Sequence, residues 1–151
     1  GTTGVEGDGF AEPGSHTTPE PVSLHALLAR LAEKGCTHAV MEASSHGLAQ
    51  HRLDGVRLTA AALTHITRDH LDYHASFEDY VAAKLRLFGA VLPVGGTAVL
   101  NADDPAVAAL GAGRDGVLTF GIDDPQMALP SLPHAADSTR CPTGIEPRFF
   151  G

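Results

Sequence analysis

The sequence predicts an α/β fold, a mostly parallel sheet flanked by helices. Two observations predict it. Four short apolar runs, at residues 37–41, 58–63, 97–100 and 117–120, have the length of strands. Between them lie segments whose apolar residues recur at helical spacing and whose ends carry helix-stopping Gly or helix-starting Pro. Strand and helix in alternation imply parallel strands, and parallel sheets take ligands at the carboxyl ends of their strands.

Residues 1–21 are rich in Gly, Thr and Pro, with a turn signal at Gly7-Asp8-Gly9 and the polar segment SHTTPEP at the end. They read as a hairpin followed by a loop. Thr17 and Thr18 either bind a ligand through their hydroxyls or satisfy a turn. Ser23 is expected to cap a helix whose stripe is Leu24, Leu27, Leu28 and Leu31, with Gly35 as the left-handed stop. The strand at 37–41 follows and delivers Glu42 to its carboxyl end, just before the polar turn ASSHG. The strand at 58–63 ends at Thr64 and His65. Ser76 caps the next helix, expected over 77–88, and Asp79 resembles the partner in a capping box. The strand at 97–100 runs into Asn101-Ala102-Asp103-Asp104-Pro105, where Pro105 suits the first turn of a short helix through Leu110. After the strand at 117–120, residues 121–151 lose periodicity and carry Pro125, Pro130, Pro133, Pro142 and Pro147, so a loop or disordered tail is expected.

The chemistry concentrates in residues 64–88, THITRDHLDYHASFEDYVAAKLRLF. Asp69, His70, Asp72 and His74 fall within six positions, and carboxylates and imidazoles at that density either bind a divalent cation or cap a helix. Lys84 shares the apolar stripe of Phe77, Tyr80, Val81 and Phe88. Either its stem lies along the apolar surface and the charge snorkels out, or it points into a site as a neutral, nucleophilic amine. The alternation of elements sets Glu42 and His70 on one rim, which favours a metal there.

At 151 residues and 43% hydrophobic, the chain suits one domain with a real core. No apolar run is long enough to span a membrane, and no N-terminal signal is visible. A formal net charge of -8 argues against a general nucleic-acid surface. Cys36 and Cys141 make no disulfide framework; Cys36 is expected as a small buried residue, and a reducing cytoplasm fits. The chain begins at Gly1 rather than Met, as an excised piece of a longer protein would.

The runs MEASSHGLAQHRL, TRDHLDYH, YVAAKLRLF and LNADDP, in that order, resemble the central ATP-binding domain of the Mur ligases. The resemblance covers residues 1–120, is strongest to the branch that adds a diamino acid to UDP-N-acetylmuramoyl-L-alanyl-D-glutamate, and leaves the 121–151 tail uncovered. It implies a P-loop-type fold and an ATP- and magnesium-dependent ligase of peptidoglycan synthesis, cytoplasmic and monomeric. By the resemblance, Glu42 holds the magnesium that bridges the ATP phosphates, and His70 helps to hold a second. Lys84 matches the family lysine that becomes carbamylated and supports that second metal. Thr17, Thr18, Ser44, Gln50 and Arg52 match the positions that bind the UDP-muramoyl substrate, and Asn101 lies in a motif near the nucleotide. The implied reaction is a two-step ligation in which the D-glutamate carboxylate is first phosphorylated by ATP and the amine then displaces phosphate.

Two features depart from the family. No Gly-x-x-x-x-Gly-Lys-[Ser/Thr] run is present, the family's phosphate loop lying upstream, so the chain alone is not expected to ligate. His65 stands where the family usually has Asn. The residues also allow a zinc hydrolase built on the Asp/His cluster, which leaves Lys84, Gln50 and Arg52 without a role. A non-catalytic UDP-sugar-binding module is the third reading.

Overall fold

The computed structural model describes residues 1, 3–7, 10–14, 16–67 and 72–122. Asp69, His70, Cys141 and nearly all of the expected tail lie outside the described residues.

The chain opens with the expected hairpin, strands β1 (Val5–Gly7) and β2 (Phe10–Glu12) paired antiparallel. It docks on helix α1 (Pro21–Glu33) through the Arg30–Glu12 ion pair at 2.7 Å and through Lys34 Nζ, 5.6 Å from the centre of the Phe10 ring. Helix α1 starts earlier than expected. Pro21 takes its first turn after Glu20, and no side chain caps it, so Ser23 is an ordinary helical residue. Its end is as expected: Gly35 adopts φ 84°, Cys36 N–H donates to Leu31 O and Gly35 N–H to Ala32 O. That pair of bonds is a Schellman stop, which requires a left-handed residue and so a Gly.

The expected strand at 37–41 is not formed. Among the described residues this segment has no ladder partner; Val40 is fully exposed, while Met41 and Ala43 pack against the core. β propensity makes a strand only where a neighbour takes up its backbone groups. Cys36 is also not buried: it is half-exposed, and its thiol donates to His38 O at 2.9 Å.

Helix α2 (Ser45–Ala49) is capped by Ser44, whose hydroxyl accepts from Gly47 N–H. The main sheet follows. β3 (Ala60–Leu63), β4 (Thr97–Asn101) and β5 (Val117–Phe120) run parallel in the order β3-β4-β5, with Ala60 opposite Thr97 and Ala98 opposite Val117. The alternation of strand and helix thus led to the right sheet class. Central β4 carries Ala98 and Leu100, both fully buried, beneath Leu63, Leu87, Phe88 and Val107.

Helix α3 (Phe77–Arg86) is capped as expected by Ser76, whose hydroxyl accepts from Asp79 N–H and donates to the Asp79 carboxylate. The helical path continues beyond Phe88 as one wide turn, Leu87–Val91, that buries Leu87, Phe88 and Val91. Helix α4 (Pro105–Ala108) passes into a tighter turn, Ala109–Gly111. Asp104 caps α4 through Ala106 and Val107 N–H and also accepts from Ile66 N–H, tying the exit of β3 to the exit of β4. The Ile66 amide first, then those of Val107 and Ala106, hold its carboxyl below the usual range.

Candidate functional site

A cleft of about 380 Å³ lies between the loop before α1, the segment before α2, α2 itself and α3. It brings together Thr17, Thr18, Glu42, Ser44, Gln50, Arg52 and Lys84, seven of the nine residues singled out from sequence.

Its floor is a hydrogen-bond knot. Thr18, 1% exposed, gives its one hydroxyl proton to Glu42 O at 2.9 Å and accepts from Ser44 N–H at 2.9 Å. With that proton committed, the 3.1 Å contact between the Thr18 and Ser44 hydroxyls has Ser44 as donor. The knot fixes the unpaired segment before α2 where no strand ladder does. Gly47 lets it close: a Cβ there would stand 2.7 Å from Thr18 Cβ.

Arg52 is buried, and its charge is held from three sides. Nη1 donates to Thr18 O at 2.8 Å, Nε and Nη2 donate to Gln50 Oε1, and Nη2 pairs with Glu20 Oε1 at 2.7 Å. The Gln50 amide in turn donates to the Tyr73 hydroxyl at 2.8 Å. Burial of a guanidinium is tolerated only with such partners.

Lys84 reaches the cleft from α3, and its Nζ lies 5.2 Å from the centre of the Tyr80 ring, a cation–π distance. It is neither swallowed by the core nor free in solvent. Tyr80 belongs to an aromatic chain running His46, Tyr73, His74 and Tyr80, with centroid separations of 3.9, 4.9 and 5.6 Å.

Glu42 presents a carboxylate at the same cleft. Its oxygens are hard donors of the kind that suit a cation such as magnesium. Among the described residues no group of three His, Cys, Asp or Glu is placed to hold an ion. His70, expected to complete the set, lies outside the described residues.

Asn101 stands apart from the cleft, at the carboxyl end of β4. Its amide donates to Thr64 O at 2.8 Å and accepts from Asp103 N–H at 2.9 Å. His65 bonds through its ring to the Thr64 hydroxyl at 3.0 Å, on the same end of the sheet.

Sequence reasoning missed His16, Ser45 and His46 as lining residues, and Tyr73 as the partner of Gln50. The signal for the first three was adjacency to Thr17 and Ser44; Tyr73 carried none, because its role depends on a contact 23 positions away. Outside the cleft, Arg86 and His51 hold Asp54 in place. The Arg86 guanidinium first, then His51, bring its carboxyl down to about 2.

Among the described residues no helix is long and apolar enough to cross a membrane. The chain is 57% identical to a UDP-N-acetylmuramoyl-L-alanyl-D-glutamate--2,6-diaminopimelate ligase of Rhizobium meliloti (strain 1021), over 89% of this chain and 28% of that protein. It is 49% identical to the ligase of that name from Mesorhizobium japonicum (strain LMG 29417 / CECT 9101 / MAFF 303099), over 97% of this chain and 31% of that one. A solved structure of a ligase of that name superposes with a TM-score of 0.65 at 32% identity, covering 83% of this chain and 26% of the other. The chain thus spans less than a third of the length of these relatives. The description "Mur ligase middle domain" matches residues 1–141, and the chain belongs to that family.

Proposed function

We propose that this chain is the central part of an ATP-dependent ligase that joins a diamino acid to UDP-N-acetylmuramoyl-L-alanyl-D-glutamate in peptidoglycan synthesis. The diamino acid is taken to be 2,6-diaminopimelate, the one in the names of the relatives. The observation that carries the reading is the single cleft in which five polar candidates for the muramoyl substrate line the same space as Glu42 and Lys84.

In this reading Thr17, Thr18, Ser44, Gln50 and Arg52 bind the anionic muramoyl dipeptide. Arg52 supplies the local positive charge that a chain of formal net charge -8 otherwise lacks. The D-glutamate carboxylate attacks the γ-phosphate of ATP, expelling ADP and leaving an acyl phosphate, from which the amine of the diamino acid then displaces phosphate. Magnesium, held by Glu42 and by His70 with carbamylated Lys84, would neutralise charge gathering on the phosphoryl oxygens. Asn101 is assigned to the nucleotide side, with Thr64 as its anchor. The protein is taken to act as a monomer in the cytoplasm.

The test is amide formation by the full-length protein. With ATP, magnesium, the UDP-muramoyl dipeptide and diaminopimelate, one ADP is expected per product formed, with lysine a poor replacement. Binding of the dipeptide without any ATP-dependent product would leave only a UDP-sugar module. Zinc-dependent hydrolysis without ATP would support a metallohydrolase.

A further inference from the structure

Arg52 faces the cleft from a nearly closed set of partners. A guanidinium has five N–H protons. Among the described residues four are committed: Nε–H and one on Nη2 to Gln50, another on Nη2 to Glu20, and one on Nη1 to Thr18. Gln50 is therefore the main acceptor that orients this charge. A side-chain amide can rotate, and it serves Arg52 only with Oε1 turned inward. The other half of the amide, Nε2, must then find an acceptor on the far side, and it does so at the Tyr73 hydroxyl, 2.8 Å away.

Tyr73 is itself held in place although the residue is 43% exposed. Its ring lies 3.9 Å from that of His46 and meets His74 edge-on at 4.9 Å, an 85° contact; His74 is buried against Tyr80 of α3. The loop that leads into the Lys84 helix thus reaches across to α2 and ends on the amide that orients Arg52.

We propose that Tyr73 is a positioning residue for the substrate anion site. Its hydroxyl accepts one Gln50 amide proton and locks Oε1 on Arg52, so that the Gln50 amide and the Arg52 guanidinium keep one orientation on the lining of the cleft. This assignment rests on the ligase reading for the identity of that substrate, whereas the Tyr73–Gln50–Arg52 chain is independent of it.

The test uses the full-length protein and Tyr73→Phe, which keeps the ring contacts and removes only the hydroxyl. Calorimetric titration with UDP-N-acetylmuramoyl-L-alanyl-D-glutamate, without ATP, reads binding apart from turnover. Loss of one neutral hydrogen bond predicts weakening of about three- to tenfold. In turnover, KM for that substrate should rise by about the same factor, with kcat within about twofold and KM for ATP unchanged. In a Gln50→Ala background, Tyr73→Phe should have no further effect. An unchanged dissociation constant, or an equal loss in both backgrounds, overturns the proposal. So does a fall in thermal midpoint accompanied by loss of ATP binding, since that marks a general structural role. If the parent binds the dipeptide and Tyr73→Phe weakens it but no ligation occurs, the ligase reading fails and Tyr73 stands. If the parent does not bind it, both fall.

Discussion

Replacing Thr18 by Val tests whether one hydroxyl holds the floor of the cleft. The two side chains have nearly the same shape, so the substitution removes the hydrogen-bonding group with little change of volume. Thr18 is 1% exposed, and the change leaves Glu42 O and Ser44 N–H without their 2.9 Å partner, and the Ser44 hydroxyl without its acceptor. A buried polar group left unpaired costs ~1–3 kcal/mol. The site is partly buried, so two backbone groups at the low end of that range give ~2–4 kcal/mol. The control is Thr18→Ser, which keeps the hydroxyl and loses a methyl worth ~1 kcal/mol. Urea titration of both variants against the parent, followed by far-ultraviolet circular dichroism, reads the difference from the midpoints at constant slope. Val is expected to be the more damaging by ~1–3 kcal/mol, about the worth of the bonds it loses. If Thr18→Val cost no more than Thr18→Ser, the knot would contribute packing alone, and the account of how the unpaired segment is held would be wrong.

Gly47→Ala should destabilise the chain by ~1–3 kcal/mol, since its Cβ would stand 2.7 Å from Thr18 Cβ; Gly89→Ala, with open space around it, should be neutral or slightly stabilising in the same urea titration. The Asp54 carboxyl is lowered from 3.8 to about 2 in the fold by Arg86 and His51, so the unfolded chain binds the proton first as pH falls. Its stabilisation should therefore be complete above about pH 4 and fade towards pH 2. The stability gap between parent and Asp54→Asn, measured by thermal melts across that range, should close in the same window. Lys84→Ala in the full-length protein should abolish ligation, and added short-chain carboxylates should restore part of it by occupying the vacated anion position. Lys84→Arg should be equally inactive, because a guanidinium stays protonated and forms no carbamate; a normal rate for Lys84→Arg in the ADP-release assay would remove carbamylation from the account.

What could be read from sequence was local. The Ser76 cap and the Gly35 stop each depend on residues within a few positions, and each was found where expected. The strand over 37–41 failed because its letters carry propensity, whereas a strand also needs a partner that the letters do not name. The Ser23 cap lost to Pro21, whose fixed φ starts the helix without side-chain help. In the site, residue types were legible and their assembly was not. Thr18 meets Ser44 across 26 positions, Arg52 reaches back 34 to Thr18, and Tyr73 reaches Gln50 across 23, contacts that no periodicity encodes. Lys84 is the instructive case: its place on an apolar stripe marked it as unusual, and the fold sets it on the lining of the cleft.

The central claim is that this cleft holds the muramoyl substrate beside a carbamylated Lys84. A crystal structure of the full-length protein with UDP-N-acetylmuramoyl-L-alanyl-D-glutamate, a non-hydrolysable ATP analogue and magnesium tests it most directly. The account predicts the dipeptide carboxylate within hydrogen-bonding distance of Gln50 and Arg52, and density for a carbamate on Lys84 Nζ facing a cation. A dipeptide bound away from Thr18, Ser44 and Arg52, with Lys84 an unmodified amine, would contradict it.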